Sequence, residues 1–246
     1  MLLSLTNILP NSIKENYHYC NNFFTYFVPF AYTILWIVSC ISPLFIVILW
    51  SCNFMFTSLL LTFLPLIFNY IPQKYDLRSD NFKQSISSYI DKFYNIEYIF
   101  PENLQQSEKN LFCMHPHGIY PQGWICIAFK DKFHNFTFCI SSILYSIPIV
   151  RTICRFFSKI NSVNKETMKD LMNSKKNIAL LPGGFEEATI HCSEKDRIYI
   201  KKRTGFIAYA MKYNYSITPA YCFGERNTFY NVQGFWDFRL WLNKFY

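Results

Sequence analysis

Between Asn16 and Gln73 the sequence contains no Asp, Glu, Lys or Arg, and every charge except Lys14 and Glu15 lies from Lys74 onward. A charge-free run of that length is too long for one buried core helix of a soluble domain, and it points to a bilayer. Cys-x-x-Cys is also absent, although nine cysteines occur at 20, 40, 52, 113, 126, 139, 154, 192 and 222. That spacing excludes a zinc ribbon or redox dithiol, and an odd number argues against a fully paired disulfide framework. Most of the cysteines are read as reduced, buried small hydrophobes. No basic run interleaved with aromatics is present, which argues against nucleic acid as a partner. Residues 1–22 lack the basic start and small-residue cleavage site of a signal peptide and read as a short retained tail. Repeats and low-complexity tracts are missing too.

Within the charge-free region, Phe23 to Trp50 and Asn53 to Ile71 each reach the roughly 20 apolar residues that cross a bilayer core, separated only by Ser51-Cys52-Asn53. The expectation is a transmembrane or re-entrant hairpin over 23–72, kinked at Pro43 and Pro65. Trp36, Trp50 and Tyr70 are candidate interfacial anchors, with Trp36 oddly placed in mid-span. Lys74, Arg78 and Lys83 outnumber the single Lys14 before the hairpin, so the positive excess places both flanks in the cytosol. The net charge of +8 belongs to residues 73–246, a basic domain suited to an anionic ligand or an anionic bilayer surface.

The 3-and-4 spacing of Phe82, Ile86, Tyr89, Ile90, Phe93, Ile96 and Tyr98 predicts an amphipathic helix over Asn81 to Phe100, ending before Pro101 and lying along the membrane or against the domain. From Leu111 strands and helices alternate. Strands are predicted at Leu111–Met114, Phe136–Ile140, Ile178–Leu181 and Ser216–Phe223, with another at Arg197–Ile200. Helices are predicted over Trp124–Lys132, over Lys165–Met172 behind an Asn164 cap, and from Phe206 to Tyr213; Ile149–Lys159 reads as a basic amphipathic segment. Such alternation means an α/β domain with a mostly parallel sheet. The sequons at Asn135 and Asn214 sit among apolar residues and read as chance.

In open α/β sheets ligands bind at the carboxyl ends of strands, and the unusual residues fall there. The first predicted strand runs into His115-Pro116-His117-Gly118, two imidazoles that accept protons near neutral pH, held around a rigid proline. Another ends in Pro182-Gly183-Gly184-Phe185-Glu186-Glu187-Ala188, where glycines allow close approach and two carboxylates follow. Either carboxylate could orient a histidine or answer a helix dipole. Lys201-Lys202-Arg203 leads into Thr204-Gly205-Phe206 and a helix start, where cations oppose the dipole unless a phosphate-bearing ligand sits there.

These motifs, in this order and following an apolar hairpin, resemble the diacylglycerol acyltransferase type 2 family, which includes monoacylglycerol and wax-alcohol acyltransferases. Pro219-Ala220-Tyr221-Cys222-Phe223-Gly224-Glu225 adds to the match, which covers roughly Asn53 to the end. The resemblance implies a glycerolipid-acyltransferase-like α/β fold and an integral endoplasmic reticulum enzyme with its domain facing the cytosol. It implies transfer of a fatty acyl group from acyl-CoA, a co-substrate rather than a cofactor, to a neutral-lipid acceptor such as diacylglycerol. The family's essential histidines map onto His115 and His117, its Gly-Gly-x-x-Glu onto Gly183, Gly184 and Glu187, and its Arg-x-Gly-Phe onto Arg203, Gly205 and Phe206.

Mechanistic expectations follow. His117, or His115, is the general base on the acceptor hydroxyl, with Glu187 orienting it. Main-chain N–H groups at Gly183 and Gly184 face the oxyanion, Arg203 with Lys202 holds CoA phosphates, and Gly118 and Glu186 complete the substrate-binding set. No Ser or Cys occupies a glycine elbow, so direct transfer is expected rather than an acyl-enzyme. Relatives run further past the Phe-Gly-Glu motif, so the chain reads as a minimal enzyme, an incomplete one, or a non-catalytic lipid- or partner-binding hairpin protein. Self-association is left open. A metal site using His115, His117, Glu186, His134 or His191 lacks zinc-like spacing and is not expected.

Overall fold

A computed structural model describes residues 23–70, 80–100, 104 and 108–245. The N-terminal tail and the basic residues Lys74 and Arg78, on which the orientation argument rested, lie outside the described residues.

The apolar region forms two antiparallel-running helices, α1 (Phe23–Ser51) and α2 (Met55–Tyr70). Asn53 makes the turn. It takes the left-handed conformation (φ 64°) at the end of α1, while its own N–H and that of Phe54 return to the carbonyls of Trp50 and Leu49. That is the double closure by which a helix stops without leaving carbonyls open. Small side chains let the helices approach. Ser39 and Ser42 of α1 and Ser58 of α2 are buried, with their hydroxyls donated to carbonyls one turn back in their own helices. At 29 residues α1 is long and apolar enough to cross a membrane. The expectation is a spanning or a re-entrant hairpin; α2 has 16 residues, about 24 Å at 1.5 Å per residue, shorter than a bilayer core of about 30 Å.

The first half of α1 is not free-standing. Val28 and Tyr32 pack with Ile90, Cys126 and Phe129, joining α1 to α3 (Asp80–Tyr94) and α4 (Gln122–Ala128). Trp36, half-buried, packs against the domain here; its ring meets Tyr120 at 5.9 Å. The amphipathic helix α3 ends at Tyr94, earlier than predicted, because Asn95 turns left-handed and the Ile96 N–H closes on Asp91. A polar latch fixes α3 to the domain: Lys130 reaches Asp91 and the Ser87 hydroxyl, and the Tyr98 hydroxyl donates to Asp91.

The domain is one parallel sheet in the order β3-β2-β4-β1-β5, made of β1 (Asn110–His115), β2 (Phe136–Ile140), β3 (Ile160–Ser162), β4 (Asn177–Leu180) and β5 (Ser216–Tyr221). All six residues of β1 are buried, as befits a central strand covered on both faces. Phe112 and Met114 join one core layer with Trp124, Phe133, Phe136 and Phe138. Leu111 and Cys113 join the other with Met168, Met172, Ile178, Ala210 and Tyr215. Period-two alternation thus distributes one strand between two cores.

Helices α5 (Ser142–Ser146) and α6 (Pro148–Phe157) link β2 to β3, α7 (Lys165–Asn173) precedes β4, α8 (Gly184–Thr189) follows it, and α9 (Gly205–Tyr213) precedes β5. The Asn164 side chain caps α7 by accepting from the Thr167 N–H, as predicted. Helix α4 stops at Ala128, short of the predicted end, and a separate 3₁₀ turn follows at Asp131–Phe133. Arg197–Ile200 joins no ladder, β3 and α5 were not anticipated, and α10 (Trp236–Leu242) packs on α8. Asn135 and Asn214 are exposed, unlike the core setting expected of the sequons. The eight described cysteines are free, four of them buried.

Candidate active site

Pairing of β1 with β4 builds the site. Cys113 lies opposite Leu180, so His115 and the Pro182-Gly183-Gly184 turn emerge side by side at the carboxyl edge of the sheet. Helix α8 then carries Glu187 back toward β1. Gly183 permits this, because a Cβ there would overlap the Glu187 carboxylate. Gly184 makes the same turn with φ 58°, and its N–H donates to the Leu181 carbonyl at 3.2 Å.

Glu187 is 1% exposed, and its carboxylate gathers three donors. Nδ1 of His115 lies 3.0 Å from each oxygen, the His117 main-chain N–H donates to Oε1, and the Tyr199 N–H donates to Oε2 at 2.8 Å. Burial alone would raise the Glu187 pKa. The hydrogen bond and charge of His115, together with the two main-chain N–H groups, outweigh it and hold the carboxyl below its ordinary range. An ionised carboxylate only accepts, so Nδ1 of His115 is the donor to Glu187, and in the neutral form of the ring the lone pair lies on Nε2. That Nε2 is buried without a hydrogen-bond partner among the described residues.

His117 is arranged differently. Its Nδ1 is 2.8 Å from the Gly118 carbonyl oxygen, which makes Nδ1 the donor. Burial lowers its pKa, and the Gly118 carbonyl and Glu187 offset this only in part, so the ring stays neutral. Glu187 therefore grips the ring of His115 and only the backbone of His117. Of the two histidines named as base, the structure gives the carboxylate partner to His115.

The remaining expected residues divide. Gly118 lies beneath Glu225, whose Oε1 would stand 2.9 Å from a Cβ on that glycine. Glu186 and Arg203 form an ion pair with each other, and the Arg203 guanidinium lies over the Tyr199 ring, so Arg203 is not open to a phosphate here. Lys202 is exposed, Gly205 starts α9 with open space around it, and Phe206 packs into the core layer beside Ala210.

Sequence reasoning assigned no role to Glu225. This carboxylate, 2% exposed, accepts from the main-chain N–H groups of Gln122 and Gly123, both at 2.8 Å. Burial raises its pKa and the two N–H groups counteract in part. It fastens the end of β5 to the start of α4 and to the histidine loop, and the Cys222 N–H donates to the His115 carbonyl at 2.8 Å beside it. The Phe-Gly-Glu motif was the signal available. Tyr199 acts through its main chain and leaves no signature in a sequence. His191 was named only as a metal ligand. It is buried, and it lines a small cleft with His117, Glu187, Lys195 and Arg226. Among the described residues no three His, Cys, Asp or Glu side chains gather as a metal-ligand set, and His134 is turned to the Asp131 carbonyl.

A parallel α/β sheet with a buried histidine–carboxylate pair at its carboxyl edge, joined to an apolar helix of bilayer length, is the class of protein these features define. The chain belongs to the diacylglycerol acyltransferase family, whose model matches residues 45–244. Among its relatives, mouse diacylglycerol O-acyltransferase 2-like protein 6 is 30% identical over 162 residues, covering 60% of this chain and 46% of the relative. Diacylglycerol O-acyltransferase 2 of Dictyostelium discoideum is 28% identical, covering 58% and 46%. Mouse acyl-CoA wax alcohol acyltransferase 1 is 24% identical, covering 65% and 52%. The chain spans about half the length of the curated relatives it matches. No solved structure matches it.

Proposed function

We propose that this chain carries the catalytic centre of an acyl-CoA-dependent O-acyltransferase acting on a neutral-lipid hydroxyl, with diacylglycerol the first acceptor to test. The observation that supports it is the Glu187–His115 pair, with Nδ1 on the carboxylate and Nε2 buried without a hydrogen-bond partner among the described residues. The acceptor hydroxyl gives its proton to His115 Nε2 while its oxygen attacks the thioester carbonyl carbon. The tetrahedral intermediate then collapses, the C–S bond breaks, and the CoA sulfur takes the proton back from His115. Glu187 balances the imidazolium charge between these steps. General-base action of this kind supplies about 10²–10⁴ in rate, and positioning supplies much of the rest.

His117 stays neutral beside the base and contributes the N–H that holds Glu187. Lys202 is placed to meet CoA phosphates in solution, and Arg203 joins it only on leaving Glu186. The helical pair opens the centre to the bilayer that dissolves the acceptor, with the domain on the cytosolic face of the endoplasmic reticulum where acyl-CoA arrives. Names of the relatives, which act on diacylglycerol and wax alcohols, support this acceptor class. The test is transfer from labelled acyl-CoA in membranes expressing the chain, with diacylglycerol, monoacylglycerol and a long-chain alcohol offered in parallel. Labelled neutral lipid is expected from the native chain and not from His115→Asn. Equal product from both would remove the mechanism.

A further inference from the structure

Contacts between the helical pair and the domain set how far the pair can reach into a membrane. Helix α1 meets the domain at Val28 and Tyr32, and again at Trp36, whose ring lies 5.9 Å from that of Tyr120. Helix α2 meets it at Asn69, whose side chain donates to the Pro148 carbonyl at 3.1 Å and whose carbonyl accepts from the Arg155 guanidinium at 2.6 Å. Phe45 and Leu61, each eight residues from Asn53, wall one open groove with Ile149 of α6. Trp36 and Asn69, seventeen and sixteen residues from Asn53, therefore stand at one level. From that level to the turn α1 extends about 22 Å and α2 about 21 Å, at 1.5 Å per residue. Along this stretch the sequence holds no charged residue, and Val47, Trp50, Phe54, Phe56, Phe63 and Leu64 are each more than half exposed. At its base α6 rises from Ile149 in the groove to Arg155 on Asn69, so Arg151 and Arg155 flank the point where the apolar surface begins.

We propose that the helical pair enters one leaflet of a phospholipid bilayer, with its turn near the mid-plane, and does not cross. Length and charge together select this arrangement. The hydrocarbon core is about 30 Å thick, so a turn at the far interface would draw the level of Trp36 and Asn69 roughly 8 Å inside the near boundary. Arg155 is held at that level by Asn69, and Arg151 lies closer still to the turn, so both guanidiniums would enter hydrocarbon, where a charge is costly. With the turn at the mid-plane, about 15 Å deep, the same two groups stand among the headgroups, where anionic phosphates attract them. The turn itself suits hydrocarbon. The N–H groups of Cys52, Asn53 and Phe54 close on the carbonyls of Ile48, Trp50 and Leu49, and the Ser51 hydroxyl donates to the Val47 carbonyl at 3.0 Å. Those main-chain donors are thus satisfied within the turn, as a lipid-facing backbone requires.

Cys52, free and exposed at the turn, reports where the turn lies. The full chain is reconstituted in sealed vesicles of phosphatidylcholine and phosphatidylserine with a charged maleimide on both faces. Modification of the Cys52 peptide is read by mass spectrometry, with Cys52→Ala as the control. Cys52 is expected to stay unlabelled until detergent is added, because a thiol at the mid-plane neither ionises nor meets a charged reagent. A second measurement is quenching of Trp50 fluorescence by lipids carrying a nitroxide beside the glycerol or at the chain end, with the Trp50 signal taken as the difference from Trp50→Phe. The chain-end nitroxide is expected to quench about threefold more strongly than the shallow one, since Trp50 would lie near the centre of the core. Labelling of Cys52 in sealed vesicles, or stronger quenching by the shallow nitroxide, would overturn the proposal in favour of a crossing pair. Quenching by neither nitroxide would overturn it by showing the pair clear of the bilayer. Neither measurement uses turnover, so each result stands apart from the acyltransferase reading.

Discussion

Replacing Glu187 by Gln keeps the shape of the side chain and removes one acceptor oxygen and the charge. The carboxylate serves three donors, the His115 Nδ1–H and the main-chain N–H groups of His117 and Tyr199, so one amide oxygen cannot replace it. One main-chain N–H then faces an NH₂ group inside the protein, at a cost of about 1–3 kcal/mol for a buried donor left unsatisfied. For a domain of this size that lowers Tm by roughly 2–4 °C per kcal/mol. The chemical cost is larger. If the amide donates to His115 Nδ1, the imidazole proton moves to Nε2 and the base is lost, so kcat falls about 10²- to 10⁴-fold. Initial rates with labelled acyl-CoA, together with thermal unfolding of the same preparation, separate the two effects. Because both residues act through one proton, His115→Asn combined with Glu187→Gln should be little worse than either alone. A Glu187→Gln protein within threefold of native kcat, folded and with unchanged Tm, would refute the assignment of His115 as the oriented base.

Three further expectations follow from the same contacts. Gly183→Ala places a methyl group against the Glu187 carboxylate, and it should cost about 1–3 kcal/mol and much of the activity, read by Tm and transfer rate. Gly118→Ala presses on Glu225, so its defect should shrink when combined with Glu225→Ala; purely additive losses in a double-mutant cycle would argue against that contact. Stability should fall as pH drops below about 6.5, since His117 has its folded pKa lowered and its contribution is lost as the unfolded chain takes up the proton first. Glu187 acts with the same sign at lower pH, and Glu225, with its pKa raised, acts with the opposite sign. The difference in Tm between pH 7.5 and 5 should therefore be smaller in His117→Asn than in the native chain, and equal differences would contradict the burial argument.

The charge-free run, the two histidines, the Gly-Gly-x-x-Glu stretch and the alternation of elements from Leu111 were legible from residue order alone, because composition and period carry burial and secondary structure directly. The Asn164 cap and the strands at 136–140 and 216–221 were readable for the same local reason. β3 was not: Ile-Asn-Ser at 160–162 becomes a strand only because β2 offers it an edge. Arg197–Ile200 has strand-like composition but joins no ladder among the described residues, and the Tyr199 N–H goes to Glu187 instead. The contact between Trp36 and Tyr120, 84 residues apart in sequence, could not be read from either segment alone.

The site shows the same division. Residue order set which chemical groups were available near one edge of a parallel sheet, since side-chain type and strand ends are local properties. Tertiary structure decided how they pair: β1 beside β4 sends Glu187 to the ring of His115 and not to that of His117, Arg203 turns onto Glu186, and β5 beside β1 brings Glu225 against Gly118 from more than 100 residues away. Those outcomes depend on directions and distances between segments far apart in the chain, which no local pattern encodes.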